Sequence, residues 1–210
     1  MNSIKQIEVI YNNRLVGRLA LTREGLCAFE YSAEWLSSGF SISPFELPLR
    51  SGVFIAKPRP FEGGFGVFDD CLPDGWGLLT LDRYLQQKGI NPRTLTLLDR
   101  LALVGSTGRG ALEFRPDNSV VTRQDFADFE KLALEAEKIL ASDDYMGEGI
   151  EEFQDRGGSP GGARPKIFVR YNDKEWLVKF RAKRDSQSIG VDEYRYSLLA
   201  KECGIEMPET

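Results

Sequence analysis

The chain contains no histidine. That excludes Ser-His-Asp and Cys-His catalysis, imidazole metal ligands and a histidine general base. Cysteine is scarce: Cys27, Cys71 and Cys203 lie far apart, are odd in number and form no CxxC pair. This spacing argues against a disulfide framework or a zinc site, and the three read as small buried hydrophobes. No apolar run approaches the ~18 residues of a membrane helix. The first thirty residues lack the ~7–15-residue apolar block of a signal peptide, so a cytoplasmic protein is expected. Positive charge is in deficit, 27 Lys and Arg against 32 Asp and Glu, a net −5. That balance does not favour a broad nucleic-acid-binding surface. Any chemistry must therefore use Asp, Glu, Lys, Arg, Ser or a bound metal.

What is present is an ordinary globular composition, 41% apolar and 28% charged over 210 residues. This suits one or two domains at ~100–200 residues each. Residues 7–11 and 14–19 alternate around Asn12-Asn13 and predict a hairpin, with 26–31 as a third strand. Residues 32–60, broken by Pro44, Pro48, Pro58 and Pro60, read as irregular. Leu78, Leu81 or Asp82, and Leu85 predict a helix over 77–87; Leu95, Leu98, Leu101 and Ala102 predict another after Pro92. The clearest stripe, Phe126, Phe129, Leu132, Ala133, Ala136, Ile139 and Leu140, predicts a helix over 123–141, with Thr122 and Asp125 as a capping box. Residues 142–158 are acidic, then glycine-rich, and read as a domain linker. A second hairpin, 167–171 with 175–180, follows. A last helix over 191–202 would turn Tyr194, Leu198 and Leu199 inward and end at Gly204.

The segment with most chemical promise is 157–166, with four glycines in ten positions and Arg164 and Lys166 beside them. Glycines let backbone N–H groups approach a phosphate. It is neither a Walker A motif nor a GxGxxG, and composition alone also fits a flexible linker. Its context is more specific. Lys179 lies in the following strand between Val178 and Phe180, and a glycine loop followed by a strand lysine is the order of a kinase amino-terminal lobe. Such a lysine pairs with a helix glutamate. Glu193, 14 residues on, is the leading partner, with Asp192 and Glu202 as alternatives. A strand lysine that merely extends to water remains the bland alternative. Asp69, Asp70 and Asp74 lie close enough in sequence to suggest a metal site, but helix capping and turn formation explain them better.

Several blocks, in order, resemble the HipA family of bacterial serine/threonine kinases, the toxin halves of toxin–antitoxin pairs. These are Phe29-Glu30-Tyr31 with Glu34-Trp35-Leu36, Leu47-Pro48-Leu49, Phe68 through Gly77 around Leu72-Pro73-Asp74-Gly75-Trp76, Leu101 through Gly105 with Gly110-Ala111-Leu112, and Ser159 through Lys166. The resemblance covers nearly the whole chain. It implies an α+β fold: a small mixed β/helical amino-terminal subdomain with its connecting helix over 1–145, then a partial protein-kinase-like amino lobe over 146–210.

By that resemblance Gly161, Gly162, Ala163 and Lys179 bind ATP, Glu193 pairs with Lys179, and Ser159 is the autophosphorylated loop serine. The family's catalytic loop and metal-binding acids belong to a carboxyl lobe. After Lys179 only Asp185 and Asp192 are aspartates, and neither has that setting. No catalytic or metal residue is therefore assigned, and ATP and Mg2+ are expected only with that lobe. The resemblance implies the amino-terminal portion of a kinase, inactive as this fragment alone. Its expected partners are a DNA-binding antitoxin of the HipB type and a protein substrate such as an aminoacyl-tRNA synthetase, with no direct nucleic acid and no membrane. The alternative is a non-catalytic module that binds a kinase lobe or antitoxin.

Overall fold

A computed structural model of the chain describes residues 4–119, 128–142, 145–157 and 161–210. The chain opens with β1 (Gln6–Tyr11) and β2 (Arg14–Leu21), joined by Asn12 and Asn13 at φ 46° and 61°. Paired positive φ values make the two-residue turn whose twist matches that of a hairpin. Then come β3 (Cys27–Tyr31), α1 (Ala33–Ser38), β4 (Val53–Ile55), α2 (Gly66–Asp69), α3 (Gly75–Gln87), a 3-10 turn at Pro92–Thr94, α4 (Leu97–Val104) and β5 (Glu113–Arg115). The strands form one antiparallel sheet in the order β4-β3-β2-β1-β5. Alternation puts Ile7, Val9, Leu19 and Phe29 into one core with Phe68, Leu98, Leu101 and Phe114. α4 starts at a full capping box, Thr96 with Asp99.

A second core is built from α3 together with α5 (Phe129–Ala141), α6 (Gly149–Gly157), β6 (Lys166–Tyr171) and β7 (Lys174–Lys179). Trp76 is its largest member, with Leu132, Ala136, Ile139, Ile150, Phe153, Ile167 and Phe180. Phe153 meets the Trp76 ring edge-on at 5.0 Å and the Phe180 ring at 5.7 Å. The chain ends in α7 (Ile189–Glu202). The mixture of helices with two antiparallel sheets is the expected α+β class.

Several local expectations need correction. Residues 32–60 are not wholly irregular. Ser32 caps α1 by accepting from the Trp35 N–H at 3.1 Å, and β4 forms the sheet edge. The stretch read as a linker contains α6, and Ile150 and Phe153 are fully buried. The two apolar residues, three apart, reach Trp76, which no local pattern reveals. α3 turns Trp76, Thr80, Leu81 and Leu85 inward while Leu78 is partly exposed. α5 starts at Phe129 behind Asp128, whose side chain accepts from the Lys131 N–H. The Thr122–Asp125 capping box and Phe126 lie outside the described residues. On α7, Tyr194, Leu198 and Leu199 face out, and Ser197 is the buried position. Of the cysteines only Cys27 is buried; Cys71 is half-buried and Cys203 exposed. Among the described residues, none of the helices is long and apolar enough to cross a membrane.

Candidate functional site

The β6–β7 hairpin turns at Asn172 and Asp173, again with positive φ. Its register places Ile167 opposite Val178 and Val169 opposite Trp176, the pairs turned toward the second core. Period-two alternation puts Lys166 opposite Lys179 and Phe168 opposite Leu177 on the other face. Lys179 is thus carried on a rigid strand, on the side away from the core.

Its ammonium group meets both oxygens of Glu193 on α7, at 3.2 Å to Oε1 and 3.1 Å to Oε2. Both side chains are near half exposed, 47% and 42%. A pair this open contributes ~0–1 kcal/mol to stability. The structure therefore brings the two predicted residues together in a place where folding gains little from them. Asp192 is engaged elsewhere, by Ser188 at 2.7 Å and by Arg195.

The described end of the glycine segment, residues 161–165, leads directly into β6. Gly161, Gly162 and Ala163 are exposed, and Gly162 has φ +93°. The Lys166 ammonium donates to the Gly161 carbonyl. Arg164 pairs with Asp185 at 2.8 Å, and Asp185 also accepts from the Ala182 N–H, so the 181–188 loop is tied to the glycine segment. Ser159 lies outside the described residues. Burial holds Lys166 below the usual lysine value, and the facing Lys179 adds to the effect; Asp74 and Glu193 oppose it, while Arg164 reinforces it. Lys179, Glu193, Arg164 and Asp185 line an open cleft of about 210 Å³. That is smaller than the roughly 300–1,000 Å³ of enclosing ligand sites.

Two groups of this cluster were not assigned to it by sequence reasoning. In the sequence Lys166 is only added positive charge, and its register with Lys179 is a property of the pairing. The sequence pattern predicts Asp74 as a capping and turn residue. It stands at the N-cap of α3 but makes no capping bond; its Oδ1 accepts instead from the Gly162 N–H at 2.8 Å. Two residues on, the Trp76 N–H donates to the Gly162 carbonyl at 3.0 Å. Asp69 and Asp70 sit at the carboxyl end of α2, not at a helix amino terminus. No group of acids that could hold a metal occurs among the described residues.

Gly75 explains why the contact closes. At φ +43° a Cβ there would lie 2.6 Å from the Gly162 carbonyl oxygen, a backbone atom that cannot swing away. Gly75→Ala combines that clash with a left-handed conformation costing about 1–2 kcal/mol for residues with a Cβ. The variant is expected to melt below the parent chain and to lose the 74–162 contact; an unchanged melting temperature would refute this reading.

A second contact joins the two halves. Arg109, in the loop after α4, lies over the Phe168 ring at 3.4 Å from its centroid and pairs with Glu175. The hairpin is thus gripped on its outward face while its inward face packs on Trp76 and Phe153.

The fold and the site together define an α+β protein that presents a glycine segment beside a strand lysine of a hairpin, paired with a glutamate on the following helix. The family model for the HipA N-terminal domain matches residues 7–115, and that for the HipA-like C-terminal domain matches residues 158–210. The chain belongs to the HipA family and is a HipA-like toxin. No curated protein matches it.

Proposed function

We propose that this chain carries the phosphate-facing half of the ATP site of a protein serine/threonine kinase, and that a carboxyl lobe supplies the rest. The observation that carries this reading is the Lys179–Glu193 pair beside the glycine segment. Phosphoryl transfer depends on positioning and charge neutralisation. Glu193 holds the Lys179 ammonium where a further donor remains for phosphate oxygens, since an ammonium has three. Lys166 and Arg164 add positive charge within the same cluster. These cationic donors suit a triphosphate.

The described residues do not suit Mg2+, because no acid cluster accompanies them. The neighbouring carboxylates are also committed: Asp185 to Arg164 and the Ala182 N–H, Asp192 to Ser188. No base for a serine hydroxyl is assigned among them. Exposed Tyr194, Leu198 and Leu199 on α7 support a covering lobe on that side. Family membership supports the finer expectations: a DNA-binding antitoxin of the HipB type as partner, and a protein substrate such as an aminoacyl-tRNA synthetase. A regulatory phosphate on Ser159 belongs to the same proposal.

Incubating the purified chain with labelled ATP and an acceptor protein, alone and joined to a HipA-like carboxyl lobe, tests the division of labour. Transfer is expected only in the joined form. Steady transfer by the chain alone, abolished by Lys179→Met, would overturn the half-site reading. A joined form that binds its antitoxin but neither binds nor uses ATP would favour the non-catalytic module.

A further inference from the structure

We propose that Asp74 is a positioning residue for the glycine segment, so that the amino-terminal half of the chain sets the conformation in which that segment meets a nucleotide. The proposal rests on the ATP-site reading above for its ligand, but its geometry stands without it. Gly162 spends both backbone groups on the turn that opens α3. Its N–H donates to the Asp74 carboxylate at 2.8 Å and its carbonyl accepts from the Trp76 N–H at 3.0 Å. The two partners flank Gly75, where the absence of a Cβ lets the backbones approach.

This is an unusual use of an N-cap aspartate. An aspartate at that position ordinarily accepts from its own helix's N–H groups; Asp74 makes no such bond and reaches across to a residue 88 positions later. The consequence is conformational. A segment with four glycines in ten positions has a large backbone entropy to lose on ordering, roughly 1–2 kcal/mol per residue. Holding Gly162 from outside removes part of that loss before any ligand arrives. Preorganisation of this kind raises affinity without adding a ligand contact.

The turn is itself firmly seated. Trp76 is buried against Phe153, and Pro73 on the other side of Asp74 is buried as well. The segment is held from its far end too, by Arg164 on Asp185 and Lys166 on the Gly161 carbonyl. Asp74 also carries charge toward the cluster. It opposes the depression of Lys166, which faces Lys179 across the hairpin. Asp74 therefore touches the proposed site through a backbone amide and through its field, without being a ligand group itself.

Hydrogen exchange at the Gly162 amide, measured by NMR on the full chain, tests the clamp directly, and equilibrium dialysis of the chain joined to a HipA-like carboxyl lobe against ATP tests its consequence. Asp74→Ala is expected to speed that exchange at least tenfold and to weaken ATP binding severalfold, with the melting temperature unchanged. Asp74→Asn keeps a side-chain oxygen for the Gly162 N–H and is expected to restore most of the protection. Unchanged exchange in Asp74→Ala overturns the proposal. So does ATP binding that is equal or tighter in that variant, since the carboxylate would then be idle or would compete with phosphate for the amide. If the joined form of the parent sequence binds no ATP, the ATP-site reading fails while the exchange result still decides the clamp.

Discussion

Lys179→Met is expected to weaken ATP binding by the chain joined to a HipA-like carboxyl lobe by about 10- to 100-fold, while leaving the melting temperature of the chain itself unchanged. The affinity loss follows from removing one charge-assisted hydrogen bond, worth ~1.5–3 kcal/mol, at about 1.4 kcal/mol per tenfold. The unchanged stability follows from exposure. Lys179 and Glu193 are each near half open to solvent, and pairs of that kind contribute ~0–1 kcal/mol. Methionine keeps an unbranched apolar stem of similar length on β7, so the hairpin register is undisturbed. Glu193→Gln is expected to act in the same direction and more weakly, because it frees the ammonium without deleting it. A parallel loss of affinity and melting temperature would mean that the pair is structural. Equal affinity in parent and variant would mean that Lys179 only extends to water. Isothermal calorimetry of the joined forms with ATP and thermal melts of the chains separate these outcomes.

Trp76→Ala is expected to cost about 3–5 kcal/mol, the range for deleting a large buried aromatic. In a chain of this size each kcal/mol moves the melting temperature by roughly 2–4 °C. The indole fills the centre of the second core, between α6 and the hairpin, with its ring on Phe153. Its Nε1 is buried and has no hydrogen-bond partner among the described residues. An orphan donor of that kind costs ~1–3 kcal/mol of desolvation. Trp76→Phe removes the donor while keeping an aromatic ring on Phe153, and it is expected to retain most of the stability that alanine loses. Comparable destabilisation by both replacements would show that the indole N–H has a partner and that the account of this core is incomplete. Denaturant midpoints for the three proteins make the comparison. Phe153→Ala is expected to resemble Trp76→Ala, because the two rings share one contact.

Much of this was legible in the sequence. Asn12-Asn13 and Asn172-Asp173 are residues that tolerate positive φ between alternating runs, and both make the hairpins they predict. The spacing from Lys179 to Glu193 leaves room for a loop and one helical turn, and the two side chains meet. What was not legible depends on distant partners. α6 has two inward residues in an acidic, glycine-bounded stretch, and their core comes from distant elements: Trp76, more than seventy positions earlier, with Leu132, Ile139 and Phe180. Asp74-Gly75 reads as a turn because local patterns record only local partners, and its carboxylate is bound 88 residues away. α7 fails in the opposite sense. Its apolar residues suggest burial, yet Val191, Tyr194, Tyr196, Leu198 and Leu199 are spread around the helix and stay exposed.

The central claim is that the Lys179 ammonium faces a bound triphosphate. An acyl-phosphate derivative of ATP transfers its acyl group to an amine held beside the phosphates, so mass spectrometry of labelled peptides reads that position directly. In the form joined to a HipA-like carboxyl lobe, preferential acylation of Lys179 is expected, with Lys166 second, both suppressed by excess ATP, while lysines such as Lys57 and Lys131 react slowly and without competition. Labelling spread evenly over the surface lysines, or a Lys179 signal that ATP does not suppress, would contradict it.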